Sequence, residues 1–170
     1  ADKWLWVGSS LFHVGLAAII FRHLRYFTYP VPALVLYMEP VALFFGYLFG
    51  AAALFLFWRR MALPRTLYIS NIPDYFVLVL LGLIAGTGIL VSYWAHVYIL
   101  DVKAFILGLM TLRPIAPPQH PLFLLHLTFV LILMGNYQLV MIDAVNNRDL
   151  GILLPVGVGA VVGLIAFSHV

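Results

Sequence analysis

His13, His23 and His126 are the residues of this chain whose type and placement point to chemistry. Each sits in a long apolar run, where a polar ring is costly and needs a reason. His13 and His23 stand ten residues apart. As helix, that spacing is about 15 Å of rise and about 80° of rotation, so two imidazoles share one broad face at two depths. A helix carrying His126 near its start, running opposite to the first, brings His126 to the level of His23. Two facing imidazoles at one level are what a six-coordinate haem b requires: both axial positions of the iron filled, with the flat macrocycle wedged between helices. The plainer reading is that each histidine makes only a helix–helix hydrogen bond. Phe12, Phe21, Phe123 and Phe129 surround these positions in sequence. Such a lining suits a porphyrin and any membrane core alike.

The other polar residues admit two readings each. Glu39, beside Pro40, either exchanges a proton with a quinone oxygen or snorkels to the headgroups. Arg22 and Arg25 either hydrogen-bond a haem propionate or a quinone carbonyl, or anchor a helix end in the interface. His96 and His120 read as solvated loop residues, and His169 as an interface residue. Asp74 follows Pro73 and reads as the acidic group of a helix N-terminus. Gly82, Gly86 and Gly88 allow close approach, by a neighbouring helix or by a macrocycle.

The elements that must carry these residues follow from composition. Of 170 residues, 65% are apolar and 9% charged, and the mean hydropathy is +1.09. A soluble domain sits nearer half apolar and a quarter charged. A soluble globular domain, a disordered chain and a nucleic-acid module are therefore excluded. The net charge of +3 is too small and scattered to track a phosphate backbone. With no cysteine in the chain, disulfides, iron–sulfur ligation and zinc–thiolate sites are excluded within it. An all-α integral membrane bundle remains, read as a single domain over 1–170.

Five spans of bilayer length are expected, at about 4–24, 33–58, 75–94, 122–142 and 151–168, with an interfacial helix at about 100–112. No run alternates as a membrane barrel strand does. The first span is not read as a signal peptide, because it contains His13 and continues to Arg22 and His23. Pro30 and Pro32 break the chain before the second span. Pro114, Pro117, Pro118 and Pro121 force an extended approach to the fourth. Trp4, Trp6, Trp58, Tyr93 and Trp94 fall near span ends, where aromatic belts sit. Lys3, Arg59, Arg60, Arg65 and Arg148 collect on the N-terminal side, against Arg22, Arg25, Lys103 and Arg113 on the other. Five against four favours a cytoplasmic N-terminal side by a narrow margin.

The run Trp6-Val7-Gly8-Ser9-Ser10-Leu11-Phe12-His13-Val14-Gly15, followed by Arg22-His23-Leu24-Arg25, resembles the first haem-bearing helix of the respiratory nitrate reductase gamma subunit family. The likeness is nearest to its DsrM branch, the cytochrome b subunits of DsrMKJOP-type complexes of sulfur metabolism. Tyr68-Ile69-Ser70 with Asp74-Tyr75-Phe76, Gly108-Leu109 with Arg113-Pro114, and Leu125-His126-Leu127 fit the same branch. The likeness covers about 3–135.

The resemblance implies two haems b stacked across the membrane, each taking one histidine from each of two helices. His23 and His126 would hold the outer haem, and His13 the one nearer the cytoplasm. The stretch where the family has the partner of His13 reads Asn136-Tyr137-Gln138-Leu139-Val140-Met141-Ile142-Asp143-Ala144, without histidine. There Met141 supplies a thioether ligand, or the site is five-coordinate or empty; Asp143 is a poor iron ligand. The resemblance also implies one more span ahead of the first helix and a multi-pass place in the inner (cytoplasmic) membrane. Menaquinone or menaquinol would meet the outer haem near Arg22, Arg25, Glu39 and His23. The electron partner would be an iron–sulfur subunit resembling the heterodisulfide reductase catalytic subunit, DsrK, with DsrJ-, DsrO- and DsrP-like subunits in the same complex. No residue here breaks substrate bonds, so the chain is expected to transfer electrons, with the cofactor carrying the redox chemistry. Two other classes compete: a proton-conducting subunit using His13, Glu39 and Asp143 as relays, and a plain membrane anchor.

Overall fold

Asp2 starts the first helix by accepting a hydrogen bond from the Leu5 N–H at 3.2 Å, a side-chain cap on donors that have no partner within the helix. The computed structural model describes residues 2–151 and 154, and at Glu39 the backbone alone. Among these residues there are helices and no strands. They are α1 (Lys3–His23), α2 (Ala33–Tyr37), α3 (Glu39–Ala62), α4 (Pro64–Ile69), α5 (Ile72–Trp94), α6 (Ile99–Met110) and α7 (Pro121–Asn146). A single 3-10 turn, Leu24–Tyr26, follows α1. Four segments are long and apolar enough to cross a bilayer: Lys3–Tyr26, Pro40–Ala62, Ile72–Trp94 and Pro121–Asn146. The chain is thus an all-α, multi-pass membrane protein. The span expected at 151–168 lies, apart from Gly151 and Leu154, outside the described residues.

Two of the boundaries that differ from expectation lie at proline. The span expected at 33–58 is divided at Met38 into α2 and α3. Pro40 has no N–H to continue the ladder, and its ring crowds the preceding turn, so the chain restarts as a new helix with Pro40 in its first turn. At its other end α3 runs through Arg59 and Arg60, which had read as connector, and stops where Pro64 holds Leu63 extended at φ −96°, ψ 115°.

The chain divides into two bodies, one reaching Val130 and one beginning at Leu131. In the first, α3 packs between α1 and α5. The α1–α3 seam depends on Gly15. A Cβ there would lie 3.0 Å from the Phe49 Cβ and 3.1 Å from its Cα, so the missing side chain lets the backbones close. Phe12 fills the same seam, 4.9 Å from the Phe49 ring. Residues on the outer faces, such as Phe44, Leu54 and Leu83, are large, apolar and exposed, as lipid contact requires.

Ion pairs order the helices at one end. Arg59, at the end of α3, pairs with Asp2 at the start of α1. Arg60 pairs with Asp74 of α5 at 3.0 Å. Asp74 also closes the capping box of α5, accepting from the Asn71 N–H at 2.9 Å, so its reading as a helix N-terminal group holds. Helices α1, α3 and α5 therefore alternate in direction. At the opposite end α6 packs on the Leu24–Tyr26 turn. Lys103 of α6 is buried there, its Nζ donating to the Thr28 carbonyl at 3.0 Å and standing over the Tyr29 ring. In the second body α7 continues to Asn146, and the chain turns back on itself with the Asp149 N–H on the Ala144 carbonyl at 2.9 Å.

Candidate functional site

His23 is the last residue of α1 and is half-buried. Its Nδ1–H donates to the Ile19 carbonyl at 2.7 Å. A carbonyl can only accept, so Nδ1 carries the proton and, in the neutral ring, Nε2 keeps its lone pair. His126 lies in the second turn of α7, also half-buried. Its Nδ1 stands 3.0 Å from the Thr87 Oγ1 of α5. The Ile84 carbonyl also acts on this ring. Gly88 makes room for the contact, since a Cβ there would lie 3.2 Å from the His126 Cε1.

The two rings are near enough for a charge on His23 to act on His126. Arg22 and Arg25 act on His23 in the same way. Arg25 is buried, with its guanidinium 5.1 Å from the centre of the Tyr26 ring. The Tyr26 ring in turn lies 5.8 Å from that of His23. One end of the first body thus gathers two imidazoles from different helices, two guanidinium groups and an aromatic ring.

This donor set fits an iron porphyrin. Metal-bound histidine ordinarily has its second ring nitrogen tied to an acceptor, which fixes the tautomer and frees the other nitrogen for the metal. His23 meets that condition through the Ile19 carbonyl, and the Thr87 hydroxyl stands where it can serve His126 in the same way. Among the described residues no three His, Asp or Glu side chains gather as a metal site. Haem iron asks the protein for only two axial groups, so a pair suffices.

The family described as nitrate reductase gamma subunit matches residues 1–142, most of the chain and all three of these histidines. The chain belongs to this family. A curated family relative, named Hdr-like menaquinol oxidoreductase cytochrome b-like subunit, from Archaeoglobus profundus, is 36% identical over 145 residues, covering 76% of this chain and 43% of that protein. Its counterpart of the same name from Archaeoglobus fulgidus is 32% identical over 150 residues, covering 79% of this chain and 45% of its own length. The chain thus spans under half the length of the curated relatives it matches. A second family, described as undecaprenyl phosphate translocase-like, matches residues 127–170, overlapping the end of the first match. No solved structure matches the chain.

The remaining expected site residues are less gathered. His13 uses the same local anchor as His23, with Nδ1–H on the Ser9 carbonyl at 2.7 Å, but it is exposed. It follows Phe12, which faces α3, and so points about 100° away from that seam. Met141 belongs to the second body, where it lines a shallow groove with Gln138, Ile142, Val145 and Asn146. Asp143 accepts from the Asn147 side chain at 3.0 Å. Glu39 opens α3, and its side chain lies outside the described part. His120 does more than face solvent: its Nδ1 accepts from the Leu122 N–H at 3.3 Å and caps α7. Gly82 and Gly86 face open space. Thr87 was missed. Its signal in the sequence was a lone hydroxyl between Gly86 and Gly88 in an apolar span.

Proposed function

We propose that the chain is a cytochrome b subunit that carries electrons between menaquinol and an iron–sulfur partner, with haem b held between His23 and His126. One observation supports this reading: two histidines from different helices lie within electrostatic reach of one another, each with Nδ1 at hydrogen-bond distance of an oxygen. The name borne by the two archaeal relatives, menaquinol oxidoreductase cytochrome b-like subunit, supports the choice of quinone. When bound, the haem would supply one-electron transfer inside the membrane, which no side chain of this chain provides.

The chain's own part is placement and charge. His23 and His126 would hold the haem iron. Arg22 and Arg25, beside His23, are suited to receive propionate carboxylates or a quinone carbonyl through charge-assisted hydrogen bonds. Glu39 is assigned to accept a proton released when a quinol gives up its electrons. His13 offers a further imidazole on α1, and within α7 the sequence supplies no histidine besides His126. One haem per chain is the expected count. The electron partner is a DsrK-like iron–sulfur subunit, with DsrJ-, DsrO- and DsrP-like subunits in a sulfur-metabolism complex of the cytoplasmic membrane.

The test is a reduced-minus-oxidised visible spectrum of the full chain purified from membranes, before and after addition of a menaquinol analogue. The expected result is a b-type spectrum that the quinol reduces. A colourless protein would transfer the case to the proton-conducting or anchoring readings.

A further inference from the structure

Thr87 lies in the second half of α5 and is buried, 7% exposed. Its hydroxyl proton has carbonyl acceptors on its own helix. Oγ1 donates to the Leu83 carbonyl at 2.7 Å, the back-bond a helical threonine makes to the residue four earlier. The Ile84 carbonyl, at 3.3 Å, is a second acceptor on the same helix. A hydroxyl has one proton and two lone pairs. With the proton on the carbonyl side, Oγ1 meets the His126 Nδ1, at 3.0 Å, as an acceptor. Nδ1 of His126 must then be the protonated nitrogen.

We propose that Thr87 is a positioning residue for His126: by accepting the Nδ1–H it sets the tautomer and rotation of that ring and presents Nε2 to the haem iron. This rests on the haem reading above. The arrangement differs in kind from that of the other two histidines. His13 and His23 are anchored on carbonyls of their own helix, so their anchors travel with them. The anchor of His126 belongs to another helix, so the register of α7 against α5 decides where the ligand points. Gly88 supports this, because a side chain there would press on the ring that Thr87 holds. The chain of bonds from imidazole N–H to hydroxyl to carbonyl also polarises the ring. A ring that donates strongly from Nδ1–H is a better electron donor at Nε2, which favours ferric iron.

The test compares the full wild-type chain with Thr87→Val, Thr87→Ser and His126→Ala by haem content, redox titration and visible spectrum. Thr87→Val, of nearly the same shape but without an acceptor, should raise the midpoint potential and release haem more readily on washing. Thr87→Ser should return both to wild type, which a purely packing role would not require. A Thr87→Val protein with wild-type potential, spectrum and haem retention overturns the proposal. Nitrogen-15 histidine NMR of the haem-free full chain reads the tautomer directly, with the His126 signals assigned by their loss in His126→Ala. Protonated Nδ1 in the wild type supports the proposal, and protonated Nε2 overturns it, even if Thr87→Val fails to fold. Failure of the haem reading itself looks different: the wild type would be colourless, or His126→Ala would keep its full haem complement.

Discussion

His13 and His23 sit on one helix, and each donates its Nδ1–H to the carbonyl four residues back at 2.7 Å. Their surroundings then diverge. His23 is half-buried, feels Arg22 and Arg25, and lies close to a second imidazole whose own anchor comes from a third helix. His13 is exposed, with the Ser9 hydroxyl at 3.4 Å and the edge of Phe12 as its ring neighbour. Readying a histidine for a metal is therefore a local act that a single helix performs. Making a site of it is a tertiary act, which needs a second helix at the right depth. The chain performs the first act at both depths, and at that of His23 a second imidazole lies within electrostatic reach.

The largest effect should come from removing the paired ligands. His23→Ala and His126→Ala should each abolish haem absorbance in the purified full chain, while His13→Ala keeps it. Equal losses in all three variants would erase the distinction between the depths. Gly15→Ala touches no ligand but forces α1 off Phe49, where a Cβ would meet backbone at 3.1 Å. Overpacking of this kind costs about 1–3 kcal/mol. The thermal midpoint in detergent should fall by several degrees, with partial loss of haem. An unchanged midpoint would mean that α1 is not seated through this seam. Gly88→Ala should act more gently. Its Cβ would meet the His126 ring at 3.2 Å, so the ring must yield by a few tenths of an ångström. Haem should stay bound with a small shift in its absorption maximum, smaller than that of Thr87→Val.

The smallest effect lies at the end far from the paired histidines. The hydrogen bond from Arg59, and after it the Leu5 N–H, hold the Asp2 carboxyl below the usual carboxylate range. A group whose folded pKa is depressed adds stability above its unfolded pKa and loses it as pH falls through the folded value. Acidification below about pH 4 should therefore loosen the α1–α3 end slightly. Asp2→Asn should remove that part of the pH dependence in thermal melts, without altering haem content. A change in haem content would couple the two ends in a way this account does not contain.

Much of this was legible in the sequence, for identifiable reasons. Hydropathy gave α1, α5 and α7 because a bilayer imposes length and composition on a span directly. That His23 and His126 would lie near one another was an expectation from helix rise and opposite chain direction, both properties of single elements. Asp74 and the proline-rich approach to α7 were readable because capping and proline sterics are local. The break at Met38 was missed because the apolar run continues through Pro40, and composition outweighed one absent N–H. Thr87 was missed because its back-bond to Leu83 is what any helical threonine does. Its second lone pair acquires a role only when α7 brings His126 beside it. The burial of Lys103 was hidden for the same reason, since the Thr28 carbonyl that receives it comes from a distant part of the chain.

Electron paramagnetic resonance of the oxidised full chain tests the ligation most directly, because the ferric spin state reports what occupies the two axial positions. Two imidazoles predict a low-spin signal in the wild type that persists unaltered in His13→Ala. A high-spin wild type, or a low-spin signal that vanishes with His13 while His23 and His126 remain, would contradict the account.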